Sequence, residues 1–108
     1  MRNKSKLIYL REAEADILDI VQYHKKAVGV KSARNVYQMI RREIVRLEDF
    51  PMLGQIHPDR ELAAMGYRKL VLNQTYVAIY KINNDAITIY RVVNGVTDYP
   101  KLLRDADE

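Results

Sequence analysis

GYRKLVLNQTYVAIYKINNDAITIYRVVNG, residues 66 to 95, divides into three runs rich in Val, Ile, Leu and Tyr, with polar breaks at Asn73–Thr75 and Asn83–Asp85. β-branched and aromatic residues suit a pleated, half-buried surface, so the runs read as consecutive antiparallel strands over about Tyr67–Leu72, Tyr76–Ile82 and Ala86–Val93. Asn83, Asn84 and Asp85 fit a tight hairpin, since Asn and Asp tolerate positive φ. Strict alternation puts Val77, Ile79 and Lys81 on one face of the middle strand, and Tyr76, Ala78, Tyr80 and Ile82 on the other. In the last strand it groups Ile87, Ile89, Arg91 and Val93 against Ala86, Thr88, Tyr90 and Val92. Both faces are apolar, so one is expected to pack on helices and the other to form a Tyr-rich, partly open surface. The basic residues of the stretch are Arg68, Lys69, Lys81 and Arg91. Cations fixed on a rigid sheet suit a phosphate or an acidic partner.

Upstream, the period becomes helical. Ala13, Ile17, Ile20, Val21, His24 and Val28 form one stripe at spacings of three and four, ended by Gly29. Ser32 is placed to N-cap a second helix, with Ala33, Val36, Tyr37, Ile40, Ile44 and Leu47 as its buried stripe and Pro51 as its stop. A connection of roughly three residues between two helices forces an antiparallel hairpin. Lys31, Arg34, Arg41 and Arg42 make a basic ridge on its solvent side. Lys6–Leu10 reads as a first strand, and residues 51–66 as a connecting loop holding one helical turn near Glu61–Met65. The expected fold class is therefore α+β, in the order βααβββ. An N-terminal strand and a two-helix hairpin pack on a small antiparallel sheet, in one domain over residues 1–104 with an acidic tail at 105–108.

The totals set bounds. A chain of 108 residues with 48% hydrophobic composition supports one compact core. Its net charge of +4 favours an anionic partner without the charge density of a nucleic-acid coat. The absence of cysteine removes disulfides and thiolate metal sites, and two histidines argue against any metal centre; no cofactor is expected. The N-terminal apolar run is too short for a signal peptide or a membrane span, which makes a cytoplasmic location the default expectation. Eight tyrosines without tryptophan suit an amphipathic contact surface.

Several motifs, in order, resemble the RelE/ParE superfamily of toxins from type II toxin–antitoxin systems, the plasmid-stabilisation type. They are AEADILDIVQYHKKAVG, the Ala33–Leu47 helix, FPMLGQ at Phe50–Gln55, GYRKL at Gly66–Leu70, and YVAIYKI followed by AITIYRVVNG. The resemblance runs from Leu7 to about Leu103 and is closer to ParE than to RelE, through the glycine-broken hairpin, the Pro-x-x-Gly-Gln loop and the GYR after it. ParE-like membership implies binding to DNA gyrase and neutralisation by a cognate antitoxin, as a homodimer or a toxin–antitoxin hetero-oligomer, with no membrane partner. RelE-like membership implies cleavage of mRNA on the ribosome. A third possibility is a non-toxic relative that only binds its antitoxin.

Attack by a ribose 2′-OH needs a proton acceptor, a cation for the developing phosphorane charge and an acid for the leaving oxygen. Nuclease relatives often carry arginine and histidine where this chain has Val77 and Asn94. The remaining nuclease candidates are Arg68, Arg91 and Tyr99, with Asp98 as another proton carrier. The candidates for target contact are Arg60, Arg68, Lys69, Arg91 and Tyr99. For Arg91 the competing reading is an ion pair to Asp16, Asp19 or Glu43, and for Tyr99 it is packing of the C-terminal segment on the sheet. His24 reads as a core or helix-end histidine, and His57 is given no role.

Overall fold

The computed structural model describes residues 4–106. Its elements are β1 (Lys6–Tyr9), α1 (Arg11–Ala27), α2 (Val30–Val45) running into a 3-10 turn at Arg46–Glu48, β2 (Gln55–Ile56), α3 (Arg60–Ala64), β3 (Arg68–Val71), β4 (Tyr76–Asn83), β5 (Ala86–Asn94) and α4 (Pro100–Ala106). The βααβββ order holds, augmented by the two-residue β2 and two short helices. No helix among the described residues is long and apolar enough to cross a membrane.

The helical hairpin turns in two residues. The N–H groups of Val28 and Gly29 both donate to the His24 carbonyl, at 2.9 and 3.0 Å, and Gly29 takes φ +143°, a conformation side chains other than glycine rarely adopt. Ser32 is not the N-cap. The second helix already begins at Val30, and the Ser32 hydroxyl instead meets His24 Nδ1 at 3.2 Å. The apolar stripe is narrower than the spacing suggests: Ala13, Ile17, Ala33, Val36, Ile40, Ile44 and Leu47 are buried, but Val28 is 74% exposed and Tyr37 43% exposed.

The sheet has the order β1-β5-β4-β3-β2 and is mixed. The strands from β2 to β5 pair antiparallel, whereas β1 lies parallel to β5, with Leu7 beside Ile87 and Tyr9 beside Ile89. Asn84, at φ 55°, makes the predicted turn between β4 and β5. Those two strands slip register, because Ile79 pairs with Arg91 but Tyr80 with Ile89, leaving Tyr90 as an extra residue. The bulge reverses the alternation expected for β5. Ile87, Ile89 and Val92 share the core under the helices, while Tyr90 and Val93 pack on the opposite side.

Both faces of the sheet are covered, which corrects the expectation of an open Tyr-rich side. Beneath α1 and α2 lie Leu70, Leu72, Tyr76, Ala78, Tyr80, Ile87 and Ile89. Beyond the sheet, Leu62 of α3 and Tyr99 and Leu103 at α4 close over Tyr67, Val77 and Ile79. Of the tyrosines read as surface, Tyr67, Tyr76, Tyr80 and Tyr99 are buried in the two cores, whereas Tyr23 and Tyr37 are exposed. Asp105 and Ala106, placed in a tail by the sequence, belong to α4, and Asp107 and Glu108 lie outside the described residues.

Candidate functional surface

Arg68, on β3 opposite Tyr80, points to the hairpin side of the sheet and turns into the loop before β2. Its Nε and Nη2 donate to the Gly54 carbonyl at 3.0 and 2.7 Å, and Nη2 also reaches the Met52 carbonyl at 3.5 Å. Tyr80 completes the clamp. Its hydroxyl donates to the Pro51 carbonyl at 2.7 Å and accepts the Gly54 N–H at 3.0 Å. The Pro-x-x-Gly-Gln motif is thus a loop sealed onto the sheet by one arginine and one tyrosine.

Arg91 is equally engaged. Its Nε and Nη2 each donate to an Asp16 carboxylate oxygen of α1 at 2.7 Å, a bidentate pair that also accepts the Val92 N–H at 3.0 Å. These bonds hold the guanidinium pKa above its ordinary value, against the opposing effect of burial. Of the three partners weighed from the sequence, Asp16 is the one used.

Tyr99 packs the C-terminal segment on the sheet. Its hydroxyl lies 2.7 Å from His57 Nε2, and burial pushes its pKa up. His57, which the sequence left without a role, is buried at 4% exposure. Its Nδ1 accepts the Asp59 N–H at 3.0 Å, which assigns the ring proton to Nε2 and makes that nitrogen the donor to Tyr99. Burial first, and then the charge of Lys69, lower the His57 pKa, with Asp59 opposing. The Asp59 carboxylate accepts the Leu62 N–H at 3.0 Å and N-caps α3, a cap that the reading of residues 51–66 as a loop with one helical turn did not name. Nothing local in the sequence links His57 to a tyrosine 42 positions later.

The remaining candidates are scattered. Lys69 lies on the face of β3 opposite Arg68 and borders a shallow cleft of about 380 Å³ with Arg46 and Gln55. Arg60 is exposed at the start of α3. Lys81 sits over the rings of Tyr67 and Tyr90, at 4.4 and 5.2 Å. In the helical ridge, Arg41 pairs with Glu14 at 2.8 Å and stacks on Tyr9 and Tyr37, while exposed Arg42 approaches Glu43 at 3.7 Å. Lys31 and Arg34 remain solvent-exposed.

Arg68, Arg91 and Tyr99 are therefore committed to three different partners and do not converge. The second imidazole is also engaged, because His24 uses Nδ1 toward Ser32 and Nε2 toward the Tyr76 hydroxyl at 3.0 Å. Asn94 lines a cleft of about 380 Å³ beside α1 with Asp19, Tyr23, Tyr76 and Thr97. That cleft has no imidazole among its lining residues.

The family profile described as the ParE toxin of type II toxin–antitoxin systems, parDE, matches residues 7–99. The chain belongs to the ParE toxin family. It is a toxin of the type II toxin–antitoxin class in the RelE/ParE superfamily, closer to ParE than to RelE. The chromosomal ParDE system of P. aeruginosa shares the fold with a TM-score of 0.72 at 23% identity, over 84% of this chain and 96% of that one. The RelBE2 toxin–antitoxin complex of Mycobacterium tuberculosis follows at 0.61 and 19%, over 84% and 98%. The E. coli DinJ-YafQ complex stands at 0.56 and 15%, over 84% and 92%. At these identities the structural likenesses establish the fold alone. Among curated proteins none matches.

Proposed function

We propose that the chain arrests growth by docking on DNA gyrase in the cytoplasm, and that a cognate antitoxin neutralises it. The observation carrying this reading is the internal commitment of the chemistry a ribonuclease would need. Arg68 holds the loop before β2, Arg91 holds α1, Tyr99 holds His57, and both imidazoles use both ring nitrogens. Among the described residues, a phosphate would meet no preassembled pair of cation and base. An inhibitor that works by surface docking needs neither. The antitoxin partner is supported by the family and by the toxin–antitoxin complexes whose fold is shared.

The test is induction of the full chain without an antitoxin, paired with a supercoiling assay using purified gyrase. An SOS response with filamentation and loss of supercoiling are expected. Rapid translation arrest with codon-position cuts in mRNA would replace this reading with the RelE-like one. Normal growth would replace it with a non-toxic antitoxin-binding relative.

A further inference from the structure

The turn between α1 and α2 has a composition that packing does not explain. From Asp19 to Glu43 the sequence contains no acidic residue between those two, yet it holds Lys25, Lys26, Lys31 and Arg34 around the turn. All four are exposed, and none is ion-paired among the described residues. Between them stand Val28 and Val30, 74% and 58% exposed. A solvated hairpin end ordinarily carries polar capping residues, and β-branched apolar side chains gain nothing there in the isolated protein.

The apex is also held still. Gly29 fixes the reversal, and His24 ties the end of α1 both to Ser32 of α2 and to Tyr76 of the sheet. Contacts carried on such a support lose little conformational freedom when a partner binds. Two valines framed by four unpaired cations complement an apolar depression with an acidic rim, the arrangement of a protein interface with an apolar centre and a charged edge. A nucleic-acid backbone would use the cations but leave the valines idle.

We propose that this apex is the element that docks on the toxin's protein target, the valines entering the depression and the four cations meeting its acidic rim. The proposal rests on the reading of the chain as a toxin that acts by docking on a protein. Two double variants of the full chain, induced without antitoxin, test it: Val28→Ser with Val30→Ser, and Lys25→Ser with Lys26→Ser. The altered side chains are exposed, so thermal unfolding of each purified variant should match the parent. Both variants are expected to lose growth inhibition. Unchanged inhibition by the valine variant overturns the proposal, as does a loss confined to the lysine variant, which is the pattern of phosphate binding. A harmless parent chain also overturns it. The gyrase reading fails separately: if the parent arrests translation without an SOS response, gyrase is excluded, while valine-dependent arrest still supports docking through the apex.

Discussion

His57 illustrates how burying a single imidazole sets a pH dependence. The folded protein holds the His57 pKa below its ordinary 6.5, chiefly by burial, so on acidification the unfolded chain takes up a proton before the folded one does. The stability contributed by neutral His57 is therefore complete above about pH 6.5 and is lost as pH falls through the depressed folded value. Protonation would also put a hydrogen on Nδ1, facing the Asp59 N–H it now accepts. Urea unfolding from pH 7 to pH 5 should show declining stability, and His57→Gln should flatten that slope while lowering stability at pH 7. A slope unchanged in the variant would assign the effect elsewhere. Asp16 is the second residue whose role is specific. It accepts three hydrogen bonds, and Asp16→Ala strands the Arg91 guanidinium together with the Val92 N–H. The expected loss is about 2–4 kcal/mol in urea unfolding, larger than for an exposed ion pair such as Arg42 with Glu43.

Among the elements, the β2–β3 edge depends on the loop that leads into it. A Cβ built on Gly54 would lie 2.7 Å from the Lys69 carbonyl oxygen and 2.8 Å from Cε1 and Oη of Tyr80. The first neighbour is backbone within the sheet and cannot swing aside. Gly54→Ala should therefore cost about 1–3 kcal/mol and selectively remove hydrogen-exchange protection where Gln55 pairs with Lys69. Equal protection in the variant would show that the loop relaxes freely. The same element scale explains what could be read from the sequence. The hairpin of helices was legible because its stripe runs for many turns, and the β4–β5 turn because a tight hairpin requires a positive φ that Asn84 tolerates. The direction of β1 was not, because a four-residue strand carries no mark of whether its neighbour runs parallel. The bulge at Tyr90 was hidden as well: one extra residue reverses every later side chain, yet Tyr and Arg in sequence look like ordinary alternation. The ion pair weighed for Arg91 is present, but which of Asp16, Asp19 and Glu43 it takes was not legible, because its partner Asp16 stands 75 positions away on α1.

At the scale of the molecule, the sheet is a partition between two cores of unequal origin. The helix-side core draws on α1, α2 and the first strand, while the opposite core is closed only by short segments, with Leu62 from α3 and Tyr99 and Leu103 at α4. Short helices contribute little intrinsic stability, so α4 stays in place through the apolar area under Tyr99 and Leu103, the His57 bond and the Arg104–Asp59 contact at 3.4 Å. A chain terminated after Asp98 loses all of these at once. Val77 and Ile79, now 5% and 0% exposed, would face solvent beside Leu62 and Tyr67. The truncated protein should bind a hydrophobic dye, melt at lower temperature and self-associate. It should still retain most of the helical circular dichroism, because the α1–α2 core is untouched. Loss of all helical signal would mean that the two cores form one cooperative unit, and a dye-silent monomer with unchanged melting would mean that α4 does not seal the second face.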